Sequence, residues 1–191
     1  LKESPFINVE FGLFSDASFD PSSRSGIGGI LILSTKDIVD ITSGVTGANF
    51  ELPILTRETH ETSSSRLEIE TVLWVMQEFR ALHLSHLDSA SLPAIHLYTD
   101  CQTAVQLPQR RAKLESNQYG SKRSGQILPT ADLYREFFAL YDEIRPVMTW
   151  VKGHKRSGEK NALDVLFSTL DQKVRRELRN KKAGDTKLKP F

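Results

Sequence analysis

The stretch Phe14-Ser15-Asp16-Ala17-Ser18, followed after a short polar turn by Gly26-Ile27-Gly28-Gly29-Ile30-Leu31-Ile32-Leu33, sets the reading of the whole chain. An aspartate near the end of an apolar, strand-like run is a poor strand former. It loses hydration when covered, so it calls for a cation, a donor or a turn. Alone, Asp16 fits a turn residue ahead of a hairpin; other carboxylates arriving at the same place would make it a site. The glycine pair fits a strand that another backbone approaches closely. No helix pattern follows at once, as a phosphate loop would need.

Outward from this stretch, residues 8–17, 27–33 and 38–42 read as three short strands joined by polar turns, an antiparallel meander. Residues 44–62 are irregular. Ser65 with Glu68 three residues later has the pattern of a capping box, opening a helix to about Leu84 whose apolar stripe is Ile69, Val72, Leu73, Met76 and Phe79. Glu68 lies beside that stripe, whereas Glu70 turns towards solvent. Residues 94–99 form a compact strand ending at Asp100, next to a helix start, where α/β sheets commonly hold ligands; a plain N-cap is the alternative. Residues 110–126 are basic, with Arg110, Arg111, Lys113, Lys122 and Arg123 opposed only by Glu115. Such a run inside a domain suits a projection that touches phosphates, although many are simply solvated. A helix over 130–144 and a strand over 147–151 lead to the loop Lys152-Gly153-His154-Lys155-Arg156-Ser157-Gly158. The last helix begins near Asn161. Asp164 and Asp171 share one of its flanks, about 10 Å apart along the axis, so only one can join a compact site. Residues 180–191 read as a basic, flexible tail behind a single domain of residues 1–179.

The 191 residues suffice for one core without disulfides. With 25 Lys and Arg against 24 Asp and Glu, attraction to a polyanion must come from local patches and not from the net charge of +1. The single cysteine, Cys101, cannot form an internal disulfide, and no apolar run reaches the roughly 20 residues that span a bilayer. A cytoplasmic, monomeric protein without a membrane partner is expected.

Strands, helices and acids in this order resemble the type 1 ribonucleases H. The matching pieces are Ser15-Asp16-Ala17-Ser18 with the glycine-rich second strand, Ser64-Ser65-Arg66-Leu67-Glu68, Tyr98-Thr99-Asp100-Cys101-Gln102, and Thr149-Trp150-Val151-Lys152-Gly153-His154 followed by Asp164. The resemblance implies an α/β, ribonuclease H-like fold: a mixed five-stranded sheet, three antiparallel strands then two parallel, flanked by helices. It assigns Asp16, Glu68, Asp100 and Asp164 as carboxylates holding two Mg²⁺ ions in the substrate complex, with Mn²⁺ as a substitute, and His154 as an aid to proton transfer or product release. Hard divalent cations prefer such oxygen ligands, and a pair of them serves in-line displacement at phosphorus. The implied activity is endonucleolytic hydrolysis of the RNA strand of an RNA/DNA hybrid to 5′-phosphate and 3′-hydroxyl ends. Ser18, Ser64, Ser65, Gln102 and Lys152, with the five basic residues of 110–123, are the expected substrate contacts. Ser64 and Ser65 stand where many relatives use asparagine, and Ala17 replaces a common glycine. A non-catalytic nucleic-acid-binding module, or a DNA-acting nuclease or integrase of the same superfold, remains as an alternative.

Overall fold

The computed structural model describes residues 10–44, 51–60, 62–84, 92–152 and 161–187. Along the chain run β1 (Phe11–Asp20), β2 (Ser25–Ser34), α1 (Thr35–Thr42), β3 (Leu55–Thr59), α2 (Ser64–Phe79) with a π turn over Arg80–Leu84, β4 (Ile95–Thr99), α3 (Gln102–Ser116), α4 (Ala131–Ile144), β5 (Val147–Trp150) and α5 (Ala162–Lys187). The sheet order is β3-β2-β1-β4-β5. β1 pairs antiparallel with β2 and β2 with β3, whereas β1/β4 and β4/β5 are parallel, which is the expected mixed five-stranded α/β sheet.

Side chains alternate between two cores, as strand geometry requires. On one face Leu13, Ile30, Ile95 and Leu97 pack against α2, α3 and α4. On the other, Phe14, Leu31, Leu33 and Tyr98 meet Ile38 of α1 and Leu166, Phe167, Leu170 and Val174 of α5. Arg66 fastens α2 to the start of α4, 2.8 Å from Asp132 and 3.1 Å from the Pro129 carbonyl. Arg145, in the left-handed conformation at φ 52°, closes α4 ahead of Pro146.

Three local expectations are corrected. Residues 38–42 are helical, because Ser34 and Asp37 form a reciprocal capping box: the Asp37 N–H donates to Ser34 Oγ and the Ser34 N–H to Asp37 Oδ2. That cap outweighs the β-branched run. The third strand comes instead from 55–59 within the segment read as irregular; it is an edge strand with Leu55 exposed, so its alternation is faint. The cap of α2 is Ser63, whose hydroxyl accepts the Arg66 N–H, which leaves Glu68 outside the cap. At the far end α5 continues to Lys187 and takes in residues 180–187 of the expected tail. Lys181 pairs with Glu58 and Lys182 lies 3.0 Å from Asp20, so the helix is fastened to the strands there.

Gly28 and Gly29 let helices approach both faces of β2. A methyl group at Gly28 would overlap the Thr71 hydroxyl of α2, and one at Gly29 would overlap Val174 Cγ2 of α5. Val174 is fully buried and β-branched, so it cannot swing aside. Gly29→Ala should therefore destabilise the protein by about 1–3 kcal/mol in denaturant unfolding, the usual cost of overpacking. Combined with Val174→Ala it should cost less than the sum of the two single changes; strict additivity would show that the contact is not what limits residue 29.

Candidate active site

β1 and β4 run side by side with Phe14 opposite Tyr98 and Ser15 opposite Thr99. One residue further, the same register brings Asp16 next to Asp100, on the face where α5 packs. Beneath them the Phe14 and Tyr98 rings stack at 5.0 Å between centroids. The Asp100 backbone is held by its neighbours: the Trp150 indole N–H donates to its carbonyl at 3.2 Å, and the Val151 N–H donates to Thr99 O at 2.9 Å. Asp100 is not the cap of α3; Cys101 is, its sulfur accepting the Ala104 N–H. Burial pushes the Cys101 thiol up to about 12, so it stays protonated.

Glu68, in the second turn of α2, completes a narrow crevice with Ser15, Asp16, Ala17, Thr99, Asp100 and Cys101. On the α5 side a cavity of about 300 Å³ is lined by Asp16, Ala17, Ser18, Asp100, Asp171, Arg175, Leu178, Arg179 and Lys182. Three carboxylates, Glu68, Asp100 and, from α5, Asp171, thus gather around Asp16. Asp164, buried near the start of α5, takes part in the helix cap: its Oδ2 accepts the Asn161 N–H at 3.0 Å while Asn161 Oδ1 accepts the Asp164 N–H at 2.9 Å. The spacing Asn161-x-x-Asp164 is itself the sequence signature of that capping box.

The electrostatics follow from crowding. Burial, then the charges of Asp100 and Asp171, push Asp16 from the ordinary 3.8 up to about 8, against the opposing pull of Arg175 and the Ala17 N–H. Asp100 reaches the surface yet is raised to about 6, by desolvation of its carboxyl and then by Glu68. Asp16 Oδ2 is buried without a hydrogen-bond partner among the described residues, as is Ser15 Oγ. The only cation paired with an acid of the cluster, among the described residues, is Arg175, whose Nε lies 2.6 Å from Asp171 Oδ1.

An all-oxygen donor set with an orphaned buried carboxylate oxygen fits a hard divalent cation in kind. As the side chains stand, no three acidic, cysteine or histidine groups among the described residues are close enough to share one ion.

No family model matches the chain, and no curated protein does. Solved structures do. The RNase H domain of PFV is 12% identical over 87% of this chain and 91% of its own, with a TM-score of 0.59. The fold is that of a ribonuclease H. LC11-RNase H1, determined in complex with RNA/DNA hybrid, is 11% identical over 78% of this chain and 89% of its own, TM-score 0.52. The foamy viral protease-reverse transcriptase, also in complex with RNA/DNA hybrid, is 12% identical over 89% of this chain, TM-score 0.55; the chain spans about a fifth of its length.

Of the expected substrate contacts, Ser18 lines the α5-side cavity and Gln102 begins α3 beside Asp100. Ser64 and Ser65 are exposed at the start of α2, the Ser64 hydroxyl 3.2 Å from Glu68 Oε1. Arg110, Lys113, Lys122, Arg123 and Lys152 are exposed. Arg111 is committed elsewhere: it pairs with Glu115 at 2.8 Å and Asp142 at 2.6 Å, over the Phe138 ring, fastening α3 to α4. His154 lies outside the described residues. Arg175, Arg179 and Lys182 are the members that the sequence did not single out, and Asp171 is one of the two acids it offered from α5.

An acid whose value is raised on folding is protonated in the native state while already charged in the unfolded one, so stability falls as pH climbs from about 4 to about 8. In EDTA the melting temperature should drop over that window. Asp16→Asn should flatten the profile and stabilise the protein at pH 8, by on the order of a few kcal/mol. A wild-type profile that rises from pH 5 to 8 would contradict the crowding.

Proposed function

We propose that this chain is a metal-dependent endoribonuclease that hydrolyses the RNA strand of RNA/DNA hybrids, leaving 5′-phosphate and 3′-hydroxyl ends. What carries the reading is the gathering of Asp16, Glu68, Asp100 and Asp171 on a ribonuclease H fold, around a buried carboxylate oxygen with no partner. The four would hold two Mg²⁺ ions, with Mn²⁺ as a substitute, and when bound these would supply a nucleophile from water and charge stabilisation at phosphorus.

The protein's own contribution is placement. Asp16, central and desolvated, is the carboxylate most in need of cationic company, and its backbone is fixed between two paired strands. Glu68 and Asp100 approach from α2 and β4, and Asp171 from α5 once it parts from Arg175. Ser18, Ser64 and Gln102 stand around the cluster with hydroxyl and amide groups able to meet ribose 2′-hydroxyls, the feature that separates RNA from DNA. Arg110, Lys113, Lys122 and Arg123 offer charge to the opposite strand.

The pairing of Arg175 with Asp171 favours one second reading, a nucleic-acid-binding module whose acids are neutralised internally. Cleavage of matched RNA/DNA, RNA/RNA and DNA/DNA duplexes, each with Mg²⁺ and with EDTA, decides: hybrid cut only with the metal is the expected result. Duplex DNA cut in its place would make the protein a DNA nuclease, and no cleavage at all would leave the binding module.

The fourth ligand has its own test. Asp171→Asn should lower hybrid cleavage by at least about 10³-fold without loss of folding. Asp164→Asn should keep cleavage and cost at most about 1 kcal/mol of stability through the cap. The reverse pattern would return the role to Asp164.

A further inference from the structure

Between residues 173 and 182, α5 carries Lys173, Arg175, Arg176, Arg179, Lys181 and Lys182 against the single acid Glu177. Three of these cations, Arg175, Arg179 and Lys182, fall at helical spacing on the face that lines the cavity shared with Asp16, Asp100 and Asp171. Elsewhere on the helix, Lys173 pairs with Glu177 and Lys181 with Glu58. Lys182 reaches Asp20, which Ser22 and Ser23 also hold, so it ties the wall to the β1–β2 turn. Arg179 makes no ion pair among the described residues, although it is exposed at the cavity mouth. Arg175 is bound to Asp171 by one exposed, exchangeable pair within the helix, a contact of small net worth in water.

We propose that this face of α5 is a seat for nucleic-acid backbone phosphate immediately beside the carboxylate cluster, with Arg179 as its standing anion contact and Arg175 as an exchanging one. The inference rests on the nuclease reading for its substrate and extends it to a surface on the opposite side of the cluster from the basic stretch 110–123. Arg175 leaves Asp171 for a phosphate oxygen, and Asp171 is thereby released towards the other acids. Guanidinium groups suit this exchange because they bind carboxylate and phosphate with the same planar geometry. Ser18, across the same cavity, adds a hydroxyl donor.

The test is hybrid binding by fluorescence anisotropy in EDTA, followed over a range of salt for the full chain. Each lost phosphate contact removes about 0.9 from the slope of log K against log salt and on the order of tenfold in affinity at about 0.1 M salt. Arg179→Gln, at an exposed and unpaired position, should lose about one contact, and Arg175→Gln with Arg179→Gln about two. Arg175→Lys with Arg179→Lys should keep the slope. Folded glutamine variants with the wild-type slope and affinity would overturn the seat, whether or not the wild type cuts hybrids. If the wild type binds without cutting in Mg²⁺ while the glutamine variants lose slope, the seat stands and the nuclease reading falls.

Discussion

Two carboxylates side by side where the parallel pairing of β1 and β4 ends are the constraint on which this structure turns. Asp16 and Asp100 follow the Phe14–Tyr98 stack in register, so their proximity is fixed by backbone pairing and not by side-chain choice. Like charges at strand spacing, partly removed from water, repel strongly. The surrounding structure must hold them there: glycines in β2 let α2 and α5 close on both faces, and the Trp150 indole pins the Asp100 carbonyl. The result is a proton held on Asp16 to about pH 8 unless positive charge arrives.

The basic residues divide into two kinds. Arg66, Arg111, Lys181 and Lys182 fasten one element to another through acids on a neighbouring element. Arg175 and Arg179 are different, because the first is paired only within its own helix and the second has no carboxylate partner among the described residues. Solvent-exposed pairs contribute little stability each. Of these, Lys181 and Lys182 belong to α5 and tie it to β3 and β1, whereas Arg66 and Arg111 orient α4 against α2 and α3.

Legibility in the sequence tracked how far local pattern fixed the outcome. β1, β2, β4, α2 and α4 were readable because each carries an apolar run, alternation or stripe bounded by polar turn residues or a proline. α1 was not, since Ile38 and Ile41 suit either element and the Ser34–Asp37 box decides between them only through its hydrogen bonds. β3 was hidden because an edge strand needs no buried alternation. Glu68 and Asp100 were identifiable near the end of an element, where position along the chain and position in space agree, and Asp16 from its place in a largely apolar strand. The fourth acid was not, because it lies two turns inside a helix whose starting point depends on the length of the preceding loop. The family motif points to Asp164, whereas Asp171 is the α5 acid that lines the cavity with Asp16 and Asp100.

A cavity with three acids and three cations on its walls selects for an unusual ligand. A simple anion would meet Asp16 and Asp100, and a simple cation would meet Arg175 and Arg179, so each gains on one side what it loses on the other. On the proposed reading, a phosphodiester accompanied by divalent ions would meet both walls, the ions facing the carboxylates and the phosphate oxygens the guanidinium groups. In the free protein the Asp171–Arg175 pair satisfies both demands internally, at the cost of leaving Asp16 protonated. Separating that pair is unfavourable for either partner alone and favourable when both receive a new one together. Binding of the ions and of the backbone should therefore be mutually reinforcing, and the reinforcement is set by residues four apart on one helix.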